Sequence, residues 1–340
     1  MRLKVYDINN KKFTIIFLAI FIVLNFIIFS INFLIDPFGD NNLLIEEKYK
    51  PVVNERSQKY TYIFHKKNYT KYNSYILGSS RVMNINPKFL KQYGNIYNFG
   101  IHVGNNAEKL FLLKELIKYK APVKSIYLGI DFFNFNSSMR QHFLDETHFK
   151  DSTFQNYLSF NMFKVSLKTI TYKLKQTPQT YLANNGTLIY YQKEHEIQQD
   201  NYDFSNEHLK KLSKDYLVNN FIQNNFILDT KVFNILKEIK YVCNQNHIKL
   251  YVFITPLHNT LRNEFLQHQK ISQKILFIKN RLHNIFNIIY DFSLKDEENK
   301  KNKNFYDIVH YRESLGTKLI KSMHDDFNYG KKLKEGTNAI

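Results

Sequence analysis

The distribution of apolar and polar positions divides the chain into an apolar N-terminal run and a longer region of alternating patterns. Residues 13–35, FTIIFLAIFIVLNFIIFSINFLI, contain no charged side chain, and Asn25 and Asn32 are their most polar positions. About 20 apolar residues cross a bilayer as a helix, so this run is long enough to span one with some tilt. A helix buried in a protein core is a poor alternative, because the run is apolar on every face. The pattern predicts a transmembrane anchor over residues 13–35.

The residues on either side of this run predict its orientation. Basic residues precede it and acidic residues follow it: Arg2, Lys4, Lys11 and Lys12 before, with Asp7 as the one acid, and Asp36, Asp40, Glu46 and Glu47 after. Because basic flanks stay cytoplasmic, residues 1–12 are expected inside and the rest outside, in the periplasm or extracellular space. A cleaved signal peptide has a shorter apolar core and a small-residue cleavage site. Here residues 36–39 read DPFG, which predicts an uncleaved, single-pass anchor in the cytoplasmic (inner) membrane.

From residue 71 onward, short β-prone runs alternate with helical patterns. Each run is bounded by Gly, Pro, Asn or Asp, as strands commonly are, and the runs are Ser74–Leu77, Asn95–Phe99, Ser125–Ile130, Lys249–Thr255 and Ile288–Asp291. Helical patterns lie between them, at residues 86–94, 106–119, 230–247, 261–283 and after 312. This alternation favours an α/β domain with a parallel sheet flanked by helices, which we assign to residues 71–330.

Three segments fit the alternation less well. Residues 36–70 are mixed and polar, and we expect a stalk that packs onto the domain. Residues 135–225 are rich in Asn, Gln, Tyr and Lys with only partial helical patterns, so we interpret them as an insertion in the α/β core. Residues 331–340 are interpreted as a polar C-terminal tail.

Composition excludes some function classes. The formal net charge of +18 is spread along the chain rather than clustered, and no zinc-finger or RNA-binding signature accompanies it, so nucleic acid is not an expected partner. Cys243 is the only cysteine, which rules out an intrachain disulfide, and its helical pattern predicts a small core residue. His142 and His148 are a weak candidate metal pair, with a chance spacing as the favoured alternative.

Chemistry-bearing residues follow the predicted strands where each strand ends. The first strand is followed by GSSR, with Ser80 and Arg81, and the second by the glycines of NFGIHVGNN. The third ends in YLGIDFFNF, which contains Asp131. Near the C-terminus, NFYDIVHYRE places Asp307 three residues before His310. Because parallel strands carry active sites at their carboxyl ends, these residues are expected to share one cleft.

The residue types in this set suit nucleophilic catalysis. A serine needs a base to become a nucleophile, and the base needs an orienting acid. Asp307 and His310 on one tight turn can supply both to a distant serine. A glycine turn after the second strand can present a backbone N–H to a developing oxyanion. Each motif alone is weak, but their order along the chain makes a moderately specific set.

The set resembles the SGNH (GDSL-like) hydrolase superfamily over about residues 72–325. Specifically, it resembles the membrane-anchored branch with GSSR-type first blocks that is found with surface polysaccharide assembly. It also resembles the D-alanyl-lipoteichoic acid transfer proteins and the alginate O-acetylation proteins. The resemblance implies a three-layer α/β/α, flavodoxin-like fold with a parallel sheet, here preceded by one transmembrane helix. It also implies a catalytic triad of Ser80, Asp307 and His310. Ser80 and Gly104 would form the oxyanion hole, with Gly100 as the alternative second-block glycine.

One position departs from the family pattern. The third block usually reads G-x-N-D, and its Asn donates to the oxyanion, whereas this chain has Gly129-Ile130-Asp131. An ionised Asp131 can only accept hydrogen bonds. It is therefore either protonated and part of the oxyanion hole, or paired with Arg81, which we favour. Arg81 is the candidate for binding a substrate carboxylate or phosphate, and an internal ion pair is its structural alternative; His102 is a second substrate-binding candidate, or a surface histidine.

These features predict an extracytoplasmic acyl esterase or O-acyltransferase that acts on a cell-surface polysaccharide of the bacterial cell envelope through an acyl-serine intermediate. The resemblance further implies a membrane-bound O-acyltransferase as partner, the lipid bilayer as support, and no metal or organic cofactor. The alternative is a weakly active or inactive scaffold or glycan-binding component of a polysaccharide modification complex, which Asp131 favours. A lipase is a weaker third reading, because no extended apolar stretch lies beside the active-site blocks.

Overall fold

A computed structural model of the chain describes residues 2–39, 44–138, 149, 153–223 and 226–334. Asp40 and the candidate metal pair of His142 and His148 lie outside the described residues. The domain is α/β, with a mostly parallel sheet of six strands in the order β2-β1-β3-β6-β7-β8. The alternation of strand and helix patterns in the sequence predicted this class correctly.

The six strands of the main sheet are β1 (Ser74–Gly78), β2 (Ile96–Gly100), β3 (Ser125–Ile130), β6 (Lys249–Ile254), β7 (Ile288–Asp291) and β8 (Lys331–Lys334). The first five are parallel, and β8 pairs antiparallel with β7. A separate two-stranded hairpin consists of β4 (Tyr181–Leu182) and β5 (Leu188–Ile189). The five parallel strands begin and end within one residue of the predicted runs.

Helices cover both faces of the sheet. In chain order they are α1 (Arg2–Ile35), α2 (Glu55–Tyr60), α3 (Asn106–Lys118), α4 (Thr153–Tyr157), α5 (Phe160–Leu174), α6 (Tyr191–Gln198), α7 (Asn206–Leu217), α8 (Lys231–Gln245), α9 (Asn259–Gln267), α10 (Gln269–Ile285), α11 (Glu297–Lys300) and α12 (Glu313–Met323). Side chains alternate between two hydrophobic cores, because successive strand residues point to opposite faces. In β1, Tyr75 and Leu77 join the core that contains α3, α8 and α10, whereas Ile76 joins the core that contains α12.

Three segments differ from the sequence interpretation. Residues 86–94 form two short 3-10 turns instead of a helix, although Asn86 caps the first turn as its sequence suggested. The predicted helix 261–283 is two helices that meet at His268, whose backbone is extended. Lys331–Lys334 forms an edge strand rather than a tail, because its backbone completes the ladder of β7 and Leu333 is buried.

Residues 44–71 pack closely onto the domain. Tyr60, Ile63 and Phe64 lie in the same core as α3, and Arg56 pairs with Glu108 of that helix at 2.7 Å. The Nζ of Lys59 is fully buried and donates to the carbonyl oxygens of Asn98 and Gly100, at 3.0 and 2.5 Å. These contacts attach the segment after α1 to the carboxyl end of β2.

The two edges of the sheet have different neighbours. At the β2 edge, the backbone N–H of Asn98 donates to the carbonyl of Asn185 in the hairpin turn, at 2.9 Å. The next residue, Gly186, has a φ of +81°, and a Cβ there would lie 2.1 Å from the Asn98 carbonyl oxygen. Only glycine therefore allows the turn to approach this edge. At the other edge, β8 carries Lys331, Lys332 and Lys334.

The N-terminal helix extends beyond the domain. Within α1, Asn10–Ile35 is the one helix in the described part of the chain that is long and apolar enough to cross a membrane. Most of its large apolar side chains are exposed, as a lipid-facing helix requires, and its last turns contact α5 of the insertion.

Candidate active site

Ser80 lies on a tight turn at the carboxyl end of β1. Ser79 has extended backbone, and Ser80–Val82 forms one 3-10 turn directly after it. Val82 then returns against the sheet, where a Cβ on Gly78, Gly100 or Gly129 would lie within 2.7 Å of its side chain. The glycines that end β1 and β2 and precede the end of β3 thus make room for one valine. Because these glycines have no side chains, the turn that carries Ser80 can pack against the sheet.

The structure brings Ser80, His310 and Asp307 together, as the motif order predicted. The Oγ of Ser80 lies 3.0 Å from Nε2 of His310, although the residues are 230 positions apart. On the other side of the ring, Nδ1 lies 2.7 Å from Oδ2 of Asp307. The Oδ1 of Asp307 accepts the backbone N–H groups of Val309 and His310 at 2.8 and 2.7 Å.

The environment of Asp307 fixes the proton positions in this array. Burial raises the pKa of its carboxyl group, but the charge of His310 and three hydrogen bonds outweigh burial and hold that pKa well below its usual range. An ionised Asp307 can only accept, so Nδ1 of His310 carries a proton and donates it. In the neutral ring Nε2 is then the acceptor, and the Ser80 hydroxyl donates to it.

Arg81, the next residue, points to a different carboxylate. Its Nε lies 3.4 Å from Oδ1 of Asp131, and both side chains are almost completely buried. The Thr255 hydroxyl donates to the same Oδ1 at 2.6 Å, and Oδ2 has no hydrogen-bond partner among the described residues. The internal ion pair that we favoured for Asp131 is thus present.

The insertion closes over the guanidinium of Arg81. Its Nη2 donates to the hydroxyl of Tyr216 on α7 at 2.6 Å, and its Nη1 donates to Thr255 at 3.2 Å. The ring of Phe133 lies 5.4 Å from the guanidinium carbon. A substrate anion could reach Arg81 only if Tyr216 moved away, so the geometry agrees with the structural alternative for this residue.

Both glycines that were predicted as oxyanion donors use their N–H groups in other hydrogen bonds. Gly104 lies beside the end of β1, where a Cβ would be 2.8 Å from the Gly78 carbonyl oxygen, but its own N–H donates to Ile101 at 3.0 Å. The Gly100 N–H donates to the side chain of Asn98 at 2.8 Å. Neither glycine N–H is therefore free to meet an oxyanion in this arrangement.

Asn134 is a buried amide near the second-block glycine that the sequence interpretation did not consider. It follows Asp131 by three positions in the same YLGIDFFNF segment, is buried, and donates from Nδ2 to the Gly104 carbonyl at 3.2 Å. An amide donor therefore lies next to the second-block glycine, although not at the position where the family pattern has it. The exposed side chain of His102 is not part of this cluster, and its backbone N–H donates to Glu55 at 2.9 Å.

Aromatic residues of the insertion flank the Asp307 turn. Burial, together with the nearby charge of Asp307, raises the pKa of Tyr190 and of Tyr202 to about 12. Tyr202 donates to the backbone carbonyl of Tyr306, and the ring of Tyr190 packs edge-on against that of Tyr306. Beside them is a cleft of about 280 Å³, lined by Asn84, Leu188, Ile189, Tyr190, Glu194, Gln198, Tyr306, Arg312, Glu313 and Ser314.

Within the described ranges, no three His, Cys, Asp or Glu side chains are arranged to bind a metal ion. Sequence patterns identified Ser80, Asp131, Asp307 and His310, which lie in short motifs. They missed Tyr216 and Thr255, which reach the site from distant segments that carry no motif.

No protein-family model and no curated protein matches the chain. Among solved structures, it is similar to a protein of Streptococcus pneumonia that is provisionally described as a platelet activating factor, at 16% identity and a TM-score of 0.38. The likeness covers 80% of this chain and 90% of the other. A TM-score this low carries no argument about fold family or activity.

Proposed function

We propose that the chain is a membrane-anchored, SGNH-like acyl esterase or O-acyltransferase that acts on a cell-surface polysaccharide outside the cytoplasm. The observation that carries the proposal is the unbroken series of contacts from Ser80 Oγ to His310 and from His310 to Asp307. Five parallel strands, with the serine directly after β1, the neighbour of the edge strand β2, support an SGNH-like, flavodoxin-like arrangement of three layers.

The chemistry follows from the proton positions. The Ser80 hydroxyl gives its proton to Nε2 of His310 while its oxygen attacks the acyl carbon. His310 then returns that proton to the leaving alcohol, which gives an acyl-Ser80 ester and a neutral imidazole. A second hydroxyl attacks this ester with the same base: water gives hydrolysis, and a sugar hydroxyl gives transfer. Asp307 stabilises the imidazolium in both halves.

Stabilisation of the oxyanion is the least supported part of the proposed mechanism. The backbone N–H of Ser80 remains our candidate donor, and the Asn134 amide, close to Gly104, is a candidate second donor. Gly104 could contribute only if its turn opened, since its N–H donates to Ile101. Removing one oxyanion donor costs about 10²–10³-fold in rate, so we expect slow hydrolysis of simple esters.

The proposed location follows from α1 and its flanking charges. The N-terminus would be cytoplasmic and the domain periplasmic or extracellular, next to surface glycans and within reach of a membrane-bound O-acyltransferase partner. The aromatic cleft beside Asp307 has rings and polar groups suited to a sugar. A reporter that is active only outside the cytoplasm, fused after residue 60, should be active; activity of a cytoplasmic reporter there would contradict the orientation.

A fluorophosphonate probe tests the catalytic proposal, because it labels only an activated serine. The purified full-length chain should be labelled, and Ser80→Ala should abolish labelling. Ser79→Ala is the matched control, since Ser79 is buried and its Oγ accepts only the Arg81 N–H at 3.3 Å among the contacts described. Labelling of Ser80→Ala at the wild-type level would place the nucleophile elsewhere.

A second candidate function is a non-catalytic scaffold or glycan-binding component. Two observations favour it: Asp131 replaces an amide donor, and the Gly104 N–H is already used within its turn. In that case folded wild-type protein would remain unlabelled by the probe, while wild type and Ser80→Ala would bind the glycan with equal affinity. Rapid labelling of wild type would exclude this candidate.

A further inference from the structure

Helix α5 presents an apolar stripe that no described residue covers. Phe160, Leu167 and Leu174 follow at intervals of seven, so they lie on one side of the helix. Their exposed fractions are 57%, 46% and 78%. Lys164 and Lys168 are exposed beside the first two, and Lys164 Nζ lies 5.1 Å from the Phe160 ring centroid.

The beginning of α5 is attached to the last turns of α1. Asn32 is fully buried, and its Nδ2 donates to the carbonyl oxygens of Tyr157 and Ser159 at 2.8 and 3.1 Å. Its Oδ1 accepts the hydroxyl of Ser166 at 2.8 Å. These hydrogen bonds satisfy the polar groups of Asn32 within the apolar helix. They also fix the start of α5 beside Asn32.

The position of Asn32 along α1 defines a depth in the bilayer. A helix rises about 1.5 Å per residue, so Asn10–Ile35 is about 39 Å long and exceeds a hydrocarbon core of about 30 Å. If the core begins near Phe13, the first residue of the uncharged run, it ends close to Asn32. The rings of Phe29 and Phe33 contact Tyr157 edge-on, at 5.9 and 5.6 Å between centroids. The start of α5 therefore lies where acyl chains meet headgroups.

We propose that the first half of α5 is a second membrane contact, lying in the outer boundary of the bilayer that α1 would cross, so this inference rests on the anchor proposed above. Phe160 and Leu167 would enter the upper acyl region, and Lys164 and Lys168 would bind lipid phosphates. Interfacial helices have this composition, with aromatic and aliphatic residues on one face and lysines beside them. Lys side chains can keep their charge in the headgroups while their stems cover apolar surface.

Continuity with α1 favours lipid over a protein partner. The exposed apolar surface of α5 begins beside exposed apolar side chains of α1, so one bilayer covers both without a second binding event. The basic pair also matches the phosphates of lipid headgroups. A second copy of the chain would instead bring the same lysines of two α5 helices together.

Site-specific fluorescence on the full chain in lipid nanodiscs tests this contact. Phe160→Cys and Leu167→Cys would each be labelled with bimane, and Leu276→Cys on α10 is the control. Leu276 is 43% exposed. Its helix packs near β7, which lies toward the opposite edge of the sheet from β2 and its hairpin. Cys243 can stay, because it is buried and burial raises the pKa of its thiol to about 12.

Lipids with a spin label high on the acyl chain should quench the bimane at 160 and 167 but not at 276. Because interfacial helices sit about 5–10 Å into the boundary, we expect roughly half of the fluorescence to be lost. Aqueous iodide should quench the bimane at 276 more strongly than the bimane at 160 and 167. Equal iodide quenching at all three positions, or quenching that depends on two chains per nanodisc rather than on spin-labelled lipid, would overturn the proposal.

The charges can be tested in the same preparation. Anionic lipid should increase quenching at Phe160→Cys relative to zwitterionic lipid, and the added change Lys164→Glu with Lys168→Glu should remove that increase. Lys270→Glu on α10 is the matched control and should leave it unchanged. An increase that survives the double change would contradict lipid binding by these lysines. None of these outcomes depends on catalysis at Ser80.

Discussion

Two aspartates lie on either side of the Ser80 turn, and they have different partners. Asp307 accepts two backbone N–H groups and one imidazole N–H, so both of its oxygens are satisfied. Asp131 accepts the Thr255 hydroxyl and pairs with Arg81, and its Oδ2 has no hydrogen-bond partner in the described part of the chain. Arg81 thus contacts one carboxylate directly, whereas the adjacent Ser80 is linked to the other through His310.

The comparison shows how the partner decides what a carboxylate can do. Asp307 faces a ring that can gain and lose a proton, so its charge can stabilise a transient imidazolium. Asp131 faces a guanidinium that does not titrate in the working range, so its charge holds a fixed cation in place. We infer a catalytic role for the first aspartate and a positioning role for the second.

The same substitution at both aspartates gives the largest expected contrast. Asp307→Asn should lower the rate of fluorophosphonate labelling by about 10⁴-fold, because the amide no longer holds the required tautomer of His310. Asp131→Asn should change the rate per folded molecule by less than about tenfold, which is about 1.4 kcal/mol. Labelling rates of both variants would be measured beside wild type at equal folded fractions.

Two results would contradict the expected difference between the labelling rates of the two variants. Equal losses in both variants would mean that Asp131 also acts in catalysis. A clear gain in Asp131→Asn would mean that an Asn at this position supplies the oxyanion donor of the family pattern.

Removing one partner of the buried pair should have the next largest effect. Arg81→Met or Asp131→Leu alone leaves a buried charge without its partner, which typically costs about 3–5 kcal/mol of unfolding free energy. The double variant should lose less than the sum of the two. Lys114→Met is the control, because Lys114 and Glu238 form an exposed pair at 2.6 Å, for which about 0–1 kcal/mol is usual.

Denaturant unfolding of the four variants in one detergent would measure these terms. Strict additivity of Arg81→Met and Asp131→Leu would show that the two charges are not coupled. In that case Asp131 would have no positioning role toward Arg81.

The smallest expected effect is a pH dependence of the unfolding free energy that comes from Lys109, which feels the charge of Asp131. Lys109 is buried and donates to the Gly129 carbonyl at 2.8 Å; burial lowers the pKa of its amine to about 8, although the charge of Asp131 raises it. The unfolded amine has a pKa of about 10.4. Between these values the unfolded chain binds more protons, so stability rises with pH, by at most about 1.4 kcal/mol per pH unit.

Comparing wild type with Lys109→Met isolates this contribution. From pH 8 to 9.5 the unfolding free energy of wild type should rise more steeply than that of the variant. Lys59, whose pKa burial lowers to about 7, stays in both proteins and contributes equally. Parallel slopes would mean that Lys109 keeps its proton in the folded state.

Parts of this molecule with local signals were predictable from sequence. The five parallel strands are short β-prone runs between turn residues, and the Ser80 and Asp307–His310 motifs each fit within a few residues. Hydrophobic periodicity and turn chemistry are properties of neighbouring positions, so one sequence displays them.

The other features depend on contacts between residues that are far apart in the sequence, which no local pattern reveals. Tyr216 reaches Arg81 across 135 residues, and its segment resembles any polar helix. Strand β8 is built mostly of lysines, so only its pairing with β7 makes it a strand. His268 separates α9 from α10 without a proline or glycine nearby. Tertiary packing decides each of these cases, as it often does when local propensity is weak.

The two edges of the main sheet have a consequence for self-association. Unpaired strand edges invite pairing with other chains, which leads to domain swapping and aggregation. At β2, the hairpin turn occupies the Asn98 N–H and Lys59 occupies the Asn98 and Gly100 carbonyl groups. At the opposite edge, the exposed Lys331 and Lys332 of β8 would repel the same residues on another molecule. Molecules crowded side by side would therefore not join their sheets, even at high density.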